Sequence, residues 1–131
     1  MAINFNQDSI LTLKPIPSTS VRKDIDGMLI SDEEVIMAFA TVRDQIIFTN
    51  MRIISVDVQG FTGRRKSFTS MPYSRIQYFT IQTPGFAELF SDTELELHFT
   101  SGFSARFDFT GRTDIGLLSR VITESIAACR L

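Results

Sequence analysis

The stretch Thr93-Glu94-Leu95-Glu96-Leu97-His98-Phe99-Thr100-Ser101-Gly102-Phe103-Ser104-Ala105-Arg106-Phe107-Asp108-Phe109 decides the fold class. Leu95, Leu97 and Phe99 alternate with Glu94, Glu96 and His98, and Phe103, Ala105, Phe107 and Phe109 alternate with Ser104, Arg106 and Asp108. A period of two marks strands with one buried face, and a one-residue slip would move every apolar side chain to the wrong side. A two-residue turn would set Leu97 against Arg106. A three-residue loop, Thr100-Ser101-Gly102, instead pairs Phe99 with Phe103 and Leu97 with Ala105, and sets Glu96 beside Arg106 in solvent. The second arrangement is predicted, with Gly102 in the left-handed conformation that such a loop requires.

Working outward, five more strand signals precede this hairpin: Val35–Val42, Gln45–Thr49, Arg52–Val58, Lys66–Met71 and Ile76–Gln82. Each is rich in β-branched or aromatic residues, and turn residues such as Arg43-Asp44, Asn50-Met51 and Pro84-Gly85 separate them. Seven strands without an intervening helix predict an antiparallel sandwich or barrel. Downstream, Ile115, Leu118, Val121, Ile122, Ile126 and Cys129 fall on one side of a helix over Asp114–Arg130, capped by Thr113 or Asp114. Upstream, Val21, Ile25, Met28 and Leu29 predict a shorter helix within Ser18–Ile30, although Gly27 weakens it. Residues 1–17, with Pro15 and Pro17, read as an extended or poorly ordered lead-in, and 18–131 as one domain.

Composition narrows the function classes. The 131 residues suffice for a core without metal or disulfide staples. Thirteen Lys and Arg against fifteen Asp and Glu give a charge of −2, which argues against a dedicated nucleic-acid binder. A lone Cys129 allows neither an internal disulfide nor a multi-cysteine zinc site. Met1 to Asp8 lacks the charged and apolar segments of a secretory signal, so a cytoplasmic location is expected.

Particular stretches then carry a family resemblance: Arg43-Asp44-Gln45-Ile46-Ile47-Phe48-Thr49-Asn50, Asp57-Val58-Gln59-Gly60-Phe61-Thr62-Gly63, Met71-Pro72-Tyr73 and Asp92-Thr93-Glu94-Leu95. With seven strands followed by one helix, the chain resembles the bacterial pleckstrin-homology (PH) family of short stand-alone proteins. The resemblance implies a mainly β, PH-like barrel of seven antiparallel strands in two packed sheets, capped by the C-terminal helix. It also implies homo-oligomeric rings and no enzymatic activity. Gln82, where relatives often carry Glu, and Pro84, where Ala is common, depart from the pattern.

Few residues offer chemistry. His98 stands alone on a solvent-facing strand side, and Cys129 reads as a small core residue on the helix. No catalytic residue, metal site or cofactor is therefore expected. Gln59-Gly60-Phe61-Thr62-Gly63 reads as a tight turn, because a strand rather than a phosphate-binding helix follows. Arg64, Arg65, Lys66 and Arg75 form the basic concentration, a candidate site for an anionic partner or, less favoured, for membrane phosphoinositides. The short Arg43-Asp44-Gln45 loop argues against selective headgroup binding. From Ile76 to Ala105 there is no Lys or Arg, while Glu88, Asp92, Glu94 and Glu96 accumulate beside Phe86, Leu89 and Phe90. Those three, or else Ile76 and Tyr78, are candidates for an oligomer interface. The expectation is a non-enzymatic module that self-associates into a ring and binds an unidentified protein or peptide.

Overall fold

The computed structural model describes residues 2–4, 12–83, 92–110 and 113–129. All seven expected strands are there, as β3 (Val35–Ala40), β4 (Gln45–Thr49), β5 (Arg52–Gln59), β6 (Arg65–Pro72), β7 (Ile76–Gln82), β8 (Thr93–Phe99) and β9 (Ser104–Phe109). Two three-residue strands, β1 (Ala2–Asn4) and β2 (Lys14–Ile16), bring the count among the described residues to nine and correct the expected seven. Their sequences are too short and mixed to show a period; pairing with a neighbouring strand makes them strands. The chain divides into two compact units, one of residues 15–72 and one of residues 1–14 with 73–131.

In the first unit the sheet order is β2-β3-β4-β5-β6, and β3 to β6 form an antiparallel meander. One sheet face presents Ala38, Ile47, Ile54 and Val56, covered by Ile25 with Ile16, Val21 and Leu29. The segment before the meander therefore seals this face. It does so as two 3-10 turns, Ser18–Ser20 and Lys23–Gly27, and not as the expected helix. Distant hydrogen bonds break the helical register. The Arg22 amide donates to Gln45 Oε1 at 3.0 Å and Gln45 Nε2 donates to the Ser20 carbonyl at 3.1 Å, with Arg22 extended at ψ 139°.

In the second unit β9, β8 and β7 are antiparallel, and β1 adds parallel to β9. Leu97 stands opposite Ala105 and Glu96 opposite Arg106, as the alternation predicts. The loop closes with the Phe99 amide donating to Phe103 O at 2.9 Å, and Gly102 takes φ +92°. Leu95, Leu97, Phe99, Ala105, Phe107 and Phe109 are all buried. The helix α1 (Ile115–Ala128) starts from Asp114, whose side chain accepts the Leu117 amide at 3.0 Å. Leu118, Val121, Ile122 and Ser125 form its buried stripe. Ile115 and Cys129 lie outside that stripe and are exposed, which corrects their assignment to the core. The helix ends at Ala128, and Cys129 at the C-cap turns its thiol back to the Ser125 carbonyl at 3.3 Å.

Candidate functional site

The meander alternates its turns between two ends of the sheet. The turns at 41–44 and 60–64 share one end; the turn at 50–51 lies at the other.

At the 50–51 end Arg52 and Glu33 pair with each other. Arg52 grips Glu33 through Nε to Oε2 at 2.9 Å and Nη2 to Oε1 at 3.1 Å, and Nη2 also donates to the Met28 carbonyl at 2.6 Å. The Thr49 hydroxyl donates to Glu33 Oε2 at 2.7 Å and the Ile30 amide to Oε1 at 3.0 Å. Burial pushes the Glu33 carboxyl up, but the bonds from Arg52, Thr49 and Ile30 outweigh it and hold the group below the usual carboxylate range. Asn50 completes the end, accepting the Glu34 amide at 2.8 Å and donating to Asp32 O at 2.9 Å. Asp32 takes φ +67° there. None of this was legible in the sequence, since Glu33 and Arg52 stand 19 positions apart.

The opposite end faces outward. Arg43 Nη2 donates to the Gly60 carbonyl at 2.6 Å and the Val58 amide donates to Asp44 Oδ1 at 2.8 Å, so the two hairpin tips are tied side by side. Asp44 from the neighbouring turn thus takes the Val58 amide, and Asp57 accepts from the Gln59 side chain at 2.8 Å. The glycines do serve the turn, at φ +83° for Gly60 and +69° for Gly63. On the bound tips, Val42 is 82% exposed and Phe61 107%. Around them Arg43, Arg64 and Arg65 are exposed. Lys66 pairs with Asp24 at 3.1 Å, and that bond holds the exposed Asp24 carboxyl below its ordinary range. Arg75 lies in a 3-10 turn after β6, within the other unit. The exposed apolar tips are the feature that sequence reasoning missed, because a turn phenylalanine reads equally well as folded back onto the sheet.

In the other unit, β7 is one of the two edge strands of its sheet, with β1 at the opposite edge. A bulge between Ile76 and Tyr78 switches its parity. Ile76 is consequently 6% exposed and opposite Phe99, while Tyr78 is 54% exposed and opposite His98. The same bulge explains apolar residues on both parities, and it removes Ile76 from the candidate surface. Tyr78 stacks on His98 at a centroid distance of 4.3 Å, and His98 Nε2 lies 3.6 Å from Glu96 Oε1. Arg106 pairs diagonally with Glu94 rather than with Glu96 opposite. Burial, and then the charge of Glu94, raise the Asp92 carboxyl above its ordinary range. Phe86, Leu89 and Phe90 lie outside the described residues.

Among the described residues no three His, Cys, Asp or Glu side chains gather as a metal group, and no helix is long and apolar enough to cross a membrane. The chain is 39% identical over 82 residues to YjqA of Bacillus subtilis, covering 63% of this chain and 64% of that protein. It is 31% identical over 111 residues to YozO of the same organism, covering 85% of this chain and 93% of that one. Both relatives are described as uncharacterised, so neither brings an activity. A solved pleckstrin-homology protein from Shewanella loihica superposes with a TM-score of 0.76 at 26% identity, covering 88% of this chain and 97% of that chain. The bacterial PH domain profile itself spans residues 4–126. The chain belongs to the bacterial PH domain family, a generally non-catalytic group with this PH-like, mainly β fold.

Proposed function

We propose that this protein is a non-catalytic interaction module that self-associates and offers the free edge of β7 to a protein or peptide strand. One contrast carries the reading. The edge strand β6 bears Arg65, Lys66 and Pro72, the residues that blunt a sheet edge against further pairing. The edge strand β7, Ile76-Gln77-Tyr78-Phe79-Thr80-Ile81-Gln82, bears neither charge nor proline and displays Tyr78. An unguarded edge is a template on which main-chain bonds supply affinity and alternate side chains supply selectivity.

Charge gives such association a direction. Glu94 and Glu96 share one face of β8, whereas Arg64, Arg65 and Lys66 cluster at the start of β6. Contact between unlike surfaces of successive copies is head-to-tail and closes into a ring when the rotation allows. Exposed ion pairs contribute little, so the pairing edge and its aromatic anchor supply most of the affinity.

The test is the mass in solution. Light scattering at micromolar concentration is expected to give several times 14.8 kDa, and Tyr78→Lys with Thr80→Lys to lower it while the thermal transition persists. A wild-type monomer at that concentration refutes self-association. An oligomer indifferent to both lysines removes β7 from the interface.

A further inference from the structure

We propose that the 50–51 end of the five-stranded sheet is a docking surface for a basic amphipathic helix of a partner protein, with Met28, Ile30, Ile36 and Met51 as the apolar contact and Asp32 and Glu34 as its charged rim. This surface belongs to the unit of residues 15–72 and does not depend on the reading of β7.

Singly exposed apolar side chains are ordinary on protein surfaces, whereas a concentration of them marks an interaction site. Among the described residues nine large apolar side chains are exposed, and four of the nine stand at this one end, led by Ile30 at 62% and Ile36 at 47%. The backbone brings them there. Arg52 donates to the Met28 carbonyl at 2.6 Å, the Ile30 amide donates to Glu33 at 3.0 Å, and Met51 precedes Arg52 in the turn. Ile36 falls in the bulge of β3, next to Val35 opposite Thr49. Asp32 holds φ +67°, which residues other than glycine seldom adopt, while Asn50 Nδ2 bonds its carbonyl at 2.9 Å. The clasp thus fixes the shape of this surface without covering it, so little ordering remains to be done on docking.

Charge and hydrogen bonding select the occupant. Arg52 is offset by Glu33, so the exposed Asp32 and Glu34 set the charge of this end. They repel an anionic bilayer or a nucleic acid and attract a surface that bears Lys or Arg. The backbone here is already engaged: the Glu34 amide donates to Asn50 Oδ1, the Asn50 amide to the Glu34 carbonyl, and the Met51 and Arg52 amides to the Thr49 hydroxyl. An extended peptide therefore finds no ladder to join. A helix satisfies its own backbone and docks through side chains alone.

Two of the four apolar contacts are methionines, whose unbranched and polarisable side chains repack against differently shaped partners. The surface therefore reads an apolar stripe at helical spacing flanked by Lys or Arg, rather than one particular sequence. Ile30 and Ile36, the more exposed pair, supply most of the affinity. Asp32 and Glu34 orient the helix and contribute less, since exposed ion pairs are weak.

Titration of the full isotope-labelled chain with a synthetic helix tests this. The probe is the heptad Leu-Lys-Lys-Leu-Leu-Lys-Leu written twice; one control carries Glu in place of Lys, and another has the same residues in an order without an apolar stripe. In about 0.1 M salt, where charges act over about 10 Å, the amide signals of residues 28–36 and 50–52 are expected to shift with the Lys probe and with neither control. Ile30→Ser with Ile36→Ser should weaken binding by at least about ten-fold. Asp32→Asn with Glu34→Gln should weaken it by about three-fold, asparagine keeping the left-handed backbone at position 32. The rest of the amide spectrum reports that each variant is folded. The proposal is overturned by any one of these results: no binding of the Lys probe, equally tight binding of either control, indifference to the serine pair or to the amide pair, or shifts that fall on β7 and β8 instead, beside Glu94 and Glu96.

Discussion

The two ends of the five-stranded sheet spend the same kinds of residue in opposite ways. At the 50–51 end, Arg52 closes on Glu33, and both carboxylate oxygens are satisfied by Arg52, Thr49 and Ile30. At the other end one arginine, Arg43, braces two turns, while Arg64, Arg65, Val42 and Phe61 point to solvent. The first end is a clasp: it fastens the segment before β3 to the β4–β5 turn, and removing a partner would leave buried donors without an acceptor. The second end is held by a few bonds and leaves its apolar and basic groups in solvent. Side-chain type therefore does not distinguish the closed end from the open one here. Burial and the number of satisfied partners do.

The largest expected effect breaks the clasp. Glu33→Ala removes one partner of a largely buried pair and should cost about 3 kcal/mol of stability. The midpoint of urea unfolding checks it. A loss below about 1 kcal/mol would mean that the pair is no stronger than a surface bridge, and the contrast between the ends would fail.

A smaller effect comes from pH. The Glu33 carboxyl is held below its ordinary value of 4.5 in the folded chain, so the unfolded state binds the proton more readily. Its contribution is complete above that value and is lost as the pH falls through the lower folded value. Asp24, also lowered, acts in the same sense, whereas Asp92, raised, acts in the opposite one. Comparison with Glu33→Gln isolates the clasp: stability of the wild type should fall more steeply than that of the variant between about pH 5 and pH 3. Parallel curves would show that Glu33 binds its proton equally in both states.

The smallest effect on stability belongs to the outward end. Phe61→Ser alone should change the unfolding free energy by less than about 0.5 kcal/mol, because an exposed side chain loses no burial. A thermal-shift measurement suffices. A larger loss would place Phe61 in the packing of the sheet and make the two ends alike.

How much was readable in advance follows from the range of the forces involved. Alternation within Thr93–Phe109 fixed the β8–β9 register, and Leu118, Val121 and Ile122 recur at helical spacing, because strand and helix periods are local properties of the backbone. By itself the sequence determined the seven main strands, the final helix and the family.

Tertiary structure decided everything that depends on partners far apart in the chain. It turned the segment Ser18–Ile30 into two 3-10 turns through Gln45, joined Glu33 to Arg52, and put a bulge in β7 that sends Ile76 inward and Tyr78 outward. It also set Val42 beside Phe61 by a bond from Arg43 to Gly60, 17 residues on. A hydrogen bond or a parity switch of this kind leaves no period in the sequence, since its energy is realised only once the strands have brought the two groups together.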